Sequence, residues 1–162
     1  MPYYVRKIEE HSHWEFEFKG RDLVPADTIT RELKTRQHKL SFWKIEDLGE
    51  LKDVAFAIST SFKPSNTSVI AIPISEFIDF EMEKSDGETA YTKFVSSHYD
   101  VVNLNHAKLG LLAEKIFLAT KADIPAVDAL TSEEIKEKFM SLKQDGLVGN
   151  RYLNSDLKNL IS

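Results

Sequence analysis

The chain reads as a single α+β domain. The expected architecture is a small mixed or antiparallel sheet of about four strands, packed by helices on one face, with a helical carboxy-terminal segment. Three observations predict it. The 162 residues are 42% hydrophobic and 29% charged, the size and balance of one domain with enough apolar mass for a core. Strand-like runs crowd the first half, chiefly residues 3–8, 40–45 and 68–74. Helical spacing and capping signals crowd the second half, and no internal repeat links the two. On this reading residues 1–120 form the α+β core. Residues 121–162 form a helical appendage packed on the same domain, with Lys121–Pro125 as a hinge.

Each element has a local reason. Residues 3–8, YYVRKI, are rich in strand formers. In residues 13–18, HWEFEF, the rings of Trp14, Phe16 and Phe18 alternate with His13, Glu15 and Glu17, so a strand paired to the first in a hairpin is expected. Residues 28–33, TITREL, predict a short helix with Ile29 and Leu33 inward, and residues 40–45, LSFWKI, a third strand. Asp47 and Glu50 fit a capping pattern at the head of a helix carrying Leu48, Leu51, Val54, Ala55, Ile58 and Phe62. Residues 68–74, SVIAIPI, form a continuous apolar run, expected as a strand covered on both faces and ending near Pro73. The strand–helix–strand order suggests a right-handed crossover, with an antiparallel return as the alternative.

Further along, residues 76–84 lean towards a strand, with a turn at Asp86–Gly87. From Tyr91 to Ile116 apolar residues recur every three or four positions, which predicts a long helix over 88–118 with a break near Ser96–Ser97. The strongest local signal is Thr131 with Glu134, a capping box stapled by Leu130 and Ile135, heading a helix that Gly146 ends. A last short helix is expected to dock Leu157 and Leu160.

Charge and composition narrow the function. A formal charge of −5 disfavours broad binding to nucleic acid, which needs a positive surface. With no cysteine, disulfides, thiolate metal sites and a cysteine nucleophile are excluded. The start lacks the apolar stretch of a signal peptide and no run is long enough to span a bilayer, so a cytoplasmic protein is expected.

Three groups of residues carry candidate chemistry. His11 and His13 share the parity of Glu9, Glu15 and Glu17, the raw material of a metal site; the same pattern is the ordinary solvent face of a strand, and that reading is preferred. His98 and Asn105 fall on the apolar seam of the expected long helix, where each is read as hydrogen-bonded within the core. His106 stands too far round that helix to chelate with His98. The third group is the basic stretch at 31–39, RELKTRQHK. With Arg6 it offers Arg31, Lys34, Arg36 and Lys39 as a clamp for an anionic ligand. No nucleophile elbow, Walker loop or dinucleotide fingerprint is present, and neither a catalytic residue, a metal site nor a cofactor is assigned.

The opening MPYYVRKI, followed by ADTITRELKTRQHKLSFWKIED at 26–47, resembles the start of small bacterial proteins of uncharacterised function, over less than a third of the chain. The resemblance implies a bacterial origin and an accessory role beside a larger partner. The sequence therefore points to a non-enzymatic interaction protein of the immunity, antitoxin or defence-accessory type. An exposed aromatic patch around Tyr3, Tyr4 and Trp43 would meet its protein partner. The alternative is a nucleotide- or nucleic-acid-binding module, or an enzyme, that uses the basic 31–39 segment.

Overall fold

A computed structural model describes residues 1–122 and 127–162. Six strands form one sheet among the described residues: β1 (Tyr3–Ile8), β2 (Leu40–Ile45), β3 (Thr67–Pro73), β4 (Glu81–Lys84), β5 (His98–Val102) and β6 (Val127–Leu130). Their order is β4-β5-β2-β1-β3-β6, and every neighbouring pair is antiparallel. The sheet is thus larger than the four strands expected. The α-helices are α1 (Ala26–Glu32), α2 (Leu51–Ser59), α3 (His106–Lys121), α4 (Ser132–Gln144) and α5 (Ser155–Asn159).

Helices cover both faces of the sheet, not one. Alternation along each strand sends side chains into two separate cores. Tyr3, Val5, Trp43, Ile45, Val69 and Ala71 pack with α2, α4 and α5. Tyr4, Ile8, Leu40, Phe42, Ile70 and Ile72 pack with α3 and with Trp14, Leu33 and Phe77. This explains why the run at 68–74 is apolar without a break: both its parities are buried. Strands β2 and β3 run in the same direction, and α2 joins them across the intervening antiparallel β1. The crossover is therefore present, but its two strands are not neighbours.

Several expected elements differ. Residues 13–18 are not a strand: His11–Trp14 is a turn of 3₁₀ helix, and both edges of β1 are already taken by β2 and β3. The alternating rings still find apolar partners, because Trp14 is buried and Phe16 and Phe18 lie 4.9 and 5.4 Å from Phe117 on α3. The expected helix at 88–118 is instead a 3₁₀ turn (Thr92–Phe94), strand β5 and helix α3. A three-to-four spacing of apolar residues was met there by chance across three elements. Asn105 does not lie in a buried seam; it caps α3, its Oδ1 accepting from the Lys108 amide at 2.9 Å. Within 76–84, a 3₁₀ turn (Ile74–Phe77) precedes the short edge strand β4. The segment after 121 supplies β6 as well as helices, so it joins the sheet. The expected hinge falls mostly on 123–126, outside the described residues. Leu157 is buried, whereas Leu160 is exposed.

The capping chemistry forms as local signals dictate. Thr131 and Glu134 make the reciprocal capping box of α4. Asp47 accepts from the Gly49 amide, and Glu50 reaches back one residue further than expected, to the Glu46 amide.

Candidate functional site

The site begins with a break in the sheet. β1 pairs with β3 along all six of its residues, from Tyr3–Pro73 to Ile8–Ser68. With β2 it pairs only at Tyr3–Ile45, Tyr4–Lys44 and Val5–Trp43. Beyond Val5 and Trp43 the two strands part, although both continue in register with their other neighbours. A parted seam leaves backbone groups without ladder partners, which costs free energy unless something else bonds them. Arg6 does so. Its Nη1 donates to the Ser41 carbonyl and its Nη2 to the Glu32 carbonyl, each at 3.0 Å, and its guanidinium lies over the Phe42 ring. Burial pulls the Arg6 pKa down to about 10, with the Glu32 and Glu9 charges acting the other way, so it stays charged at neutral pH.

Glu32 anchors this plug. Its carboxylate is buried and accepts from the Glu9 and Glu10 amides at 3.0 and 2.9 Å and from His13 Nδ1 at 2.6 Å. That contact accounts for His13, which serves the fork from behind, while His11 is exposed. Among the described residues no group of three or more histidine, aspartate or glutamate side chains is arranged to hold a metal ion.

In front of the fork lies a cleft of about 230 Å³, whose walls include Arg6, Lys34, Arg36, Lys39, Ser41 and Glu88, with Trp43, Ile58 and Phe62 as its apolar side. A second hollow of about 390 Å³ adjoins it, sharing Arg36, Lys39, Ser41 and Glu88 and adding Gln37 and Asp100. Ligand pockets span roughly 300–1,000 Å³, a range the second hollow reaches by itself and the first does not.

Two strained loops hold the walls. Arg36 and Lys39 face each other across a two-residue turn, with reciprocal backbone bonds of 3.1 and 3.0 Å. The turn residues Gln37 and His38 have φ of 53° and 61°, the left-handed geometry of a type I′ hairpin turn, usually given to glycine or asparagine. On the far wall Glu88 has φ of 58°. Its loop is bolted to the end of α2: Ser61 Oγ donates to the Glu88 carbonyl at 2.8 Å, and the buried Thr89 hydroxyl donates to the Ala57 carbonyl at 2.7 Å. Left-handed backbone costs an L-residue roughly 1–2 kcal/mol. Five described non-glycine residues adopt positive φ, and three of them frame this cleft. Such strain gathers where function over-determines the backbone.

Behind Glu88 sits a fully buried histidine. His98 Nδ1 donates to the Ser85 carbonyl at 2.8 Å, and its ring packs on Trp43 with centroids 4.6 Å apart. His98 Nε2 lies 3.3 Å from Glu88 and 3.9 Å from Asp100, close enough for charge interaction but not aligned as a hydrogen bond. The Trp43 indole N–H is likewise buried without a hydrogen-bond partner among the described residues.

Of the five expected ligand-binding cations, four line the cleft and Arg31 does not. Arg6 is spent on the fork, and Lys39 pairs with Glu83 at 2.7 Å, a bond that raises the lysine's pKa. Lys34 and Arg36 are exposed and make no ion pair or side-chain hydrogen bond among the described residues. The expected aromatic patch does not form: Tyr3, Tyr4 and Trp43 are 8%, 7% and 6% exposed, and Tyr3 and Tyr4 point into opposite cores. Glu88 and Asp100 escaped the sequence reading, because a helix was expected where their loop and strand lie.

No helix among the described residues is long and apolar enough to cross a membrane. Compared with family models, curated proteins and solved structures, the chain shows no match.

Proposed function

We propose that this domain binds a small phosphate-bearing ligand of the nucleotide class in the cleft at the parted β1–β2 seam. The observation that carries this reading is charge bookkeeping inside the cleft. After internal pairs are counted, Lys34 and Arg36 remain as cations unpaired among the described residues, beside the exposed ring of Phe62; Trp43 and Ile58, on the same wall, are buried. An anion on the cations and a flat ring on Phe62 satisfy both. The hairpin that sets Arg36 opposite Lys39 keeps its strained geometry, which a solvated loop has no need of. A protein partner docking on Tyr3, Tyr4 and Trp43 finds no support, since those rings are buried.

Calorimetric titration at low ionic strength tests the reading, with inorganic phosphate, AMP and GMP as probes. Binding should weaken with salt and fall by roughly tenfold or more in Lys34→Ala/Arg36→Ala, because each charged hydrogen bond contributes about 1.5–3 kcal/mol. Unfolding should be unchanged in that variant, as both side chains are exposed. No binding of any probe at low salt would end the proposal.

A further inference from the structure

The cleft is not simply basic. Facing Lys34 and Arg36 is a carboxylate, Glu88, which lies at the junction of the two hollows and lines both. A bare anion site gains nothing from a carboxylate beside it, since like charges repel. Yet the fold spends effort to put this one there. Glu88 stands in the left-handed region at φ of 58°, its carbonyl is fixed by Ser61, and it follows Gly87 at φ of 110°. The buried His98 ring, tied to the Ser85 carbonyl through Nδ1, lies against the Glu88 carboxylate from the protein side. That leaves the Glu88 carboxylate half-exposed, on a residue that lines the cleft.

From this placement we infer that Glu88 reads a pair of adjacent N–H donors on the ligand, so that the site takes guanine nucleotides in preference to adenine nucleotides. The inference rests on the phosphate-binding reading above and names the ligand class within it. Guanine presents a ring N–H and an exocyclic amine side by side, and a carboxylate accepts both at once. Adenine presents one amine beside a ring-nitrogen acceptor, so its lone pair would face the carboxylate. A site built to hydrogen-bond a group discriminates strongly against the analogue that leaves its polar atoms unpaired. The exposed Phe62 ring suits the flat base, and Lys34 with Arg36 suits its phosphate.

The test is competitive calorimetry of GMP, AMP and inorganic phosphate against the full chain and two variants, Glu88→Gly and Glu88→Gln. Glycine tolerates the backbone at 88, so Glu88→Gly should unfold no earlier than the parent. Glu88→Gln keeps side-chain volume should glycine loosen the loop. The parent should bind GMP roughly tenfold or more tighter than AMP. Both variants should bind the two nucleotides alike, with phosphate affinity equal to or above that of the parent. Equal affinity for GMP and AMP in the parent overturns the inference while leaving the phosphate reading intact. So does a preference that survives in both variants. Absence of phosphate, GMP and AMP binding alike overturns both.

Discussion

The two ends of the β1–β2 seam are built from the same pair of strands and could hardly differ more. At the closed end, Tyr3–Val5 and Trp43–Ile45 exchange ladder bonds and bury rings and branched side chains on both faces. At the open end, Arg6 replaces the ladder and a cleft begins. The charges differ in the same sense. On the closed side Asp53 of α2 is held by Lys138 and Lys93 at 2.6 and 2.9 Å. At the open end Lys34 and Arg36 have no such partner among the described residues. A sheet that is covered on both faces has no exposed face for a ligand. Parting two central strands, with one half-buried arginine to satisfy the backbone, creates a recess without giving up the core.

The largest effect should come from breaking the plug. Arg6→Met leaves two part-buried carbonyls without their donor and removes a positive charge that interacts with the buried Glu32 carboxylate. Urea unfolding should show a loss of about 3–5 kcal/mol. A loss below about 1 kcal/mol would mean that the open end is held by something other than Arg6.

A smaller effect, dependent on pH, should appear on the closed side. Burial alone raises the Asp53 pKa, but the hydrogen bonds and charges of Lys138 and Lys93 outweigh it and hold the carboxyl below its ordinary value. A depressed folded pKa contributes stability above the unfolded pKa and loses it as pH falls through the folded one. Asp53→Asn should therefore be less stable than the parent at neutral pH, by about 1 kcal/mol or less given its exposure. The gap should close as the solution is acidified below the ordinary carboxylate range. A gap that stays constant with pH would show that the pair matters through packing and not through charge.

The smallest effect sharpens the comparison from the open end. His38→Gly relieves left-handed strain at φ of 61° and adds unfolded-state entropy, two terms of opposite sign. Thermal or urea unfolding should show a gain of about 0.5 kcal/mol. Destabilisation instead would mean that the His38 side chain, and not the strained turn, holds Arg36 opposite Lys39.

Much of the helical structure was legible in the residues. The capping box at Thr131 and Glu134, the apolar stripe of α2 and the stop at Gly146 all involve groups within a few positions of each other. Strands β1, β2 and β3 were legible too, since their β-branched and aromatic runs have no competing helical reading. β5 and β6 were not. They are five and four residues long, and their identity lies in the strands they pair with, Leu40–Trp43 and Thr67–Ile70. The basic members of the site were visible as a charge cluster, whereas Glu88 and Asp100 were hidden in a segment whose periodicity imitated a helix.

The sequence by itself determined that an α+β domain forms, where the capped helix α4 begins, and that a basic stretch precedes the strand at 40–45, because those properties rest on residues close together in the chain. Only the tertiary structure decided that helices cover both faces of the sheet, that the aromatic residues of β1 and β2 are core, and that Arg6 plugs a gap between them. These depend on pairings between residues 26 to 66 positions apart, such as Arg6 with Glu32 and with Ser41, or Val5 with Ala71. Local propensity carries no record of such partners, because loop closure brings them together only when the whole sheet assembles.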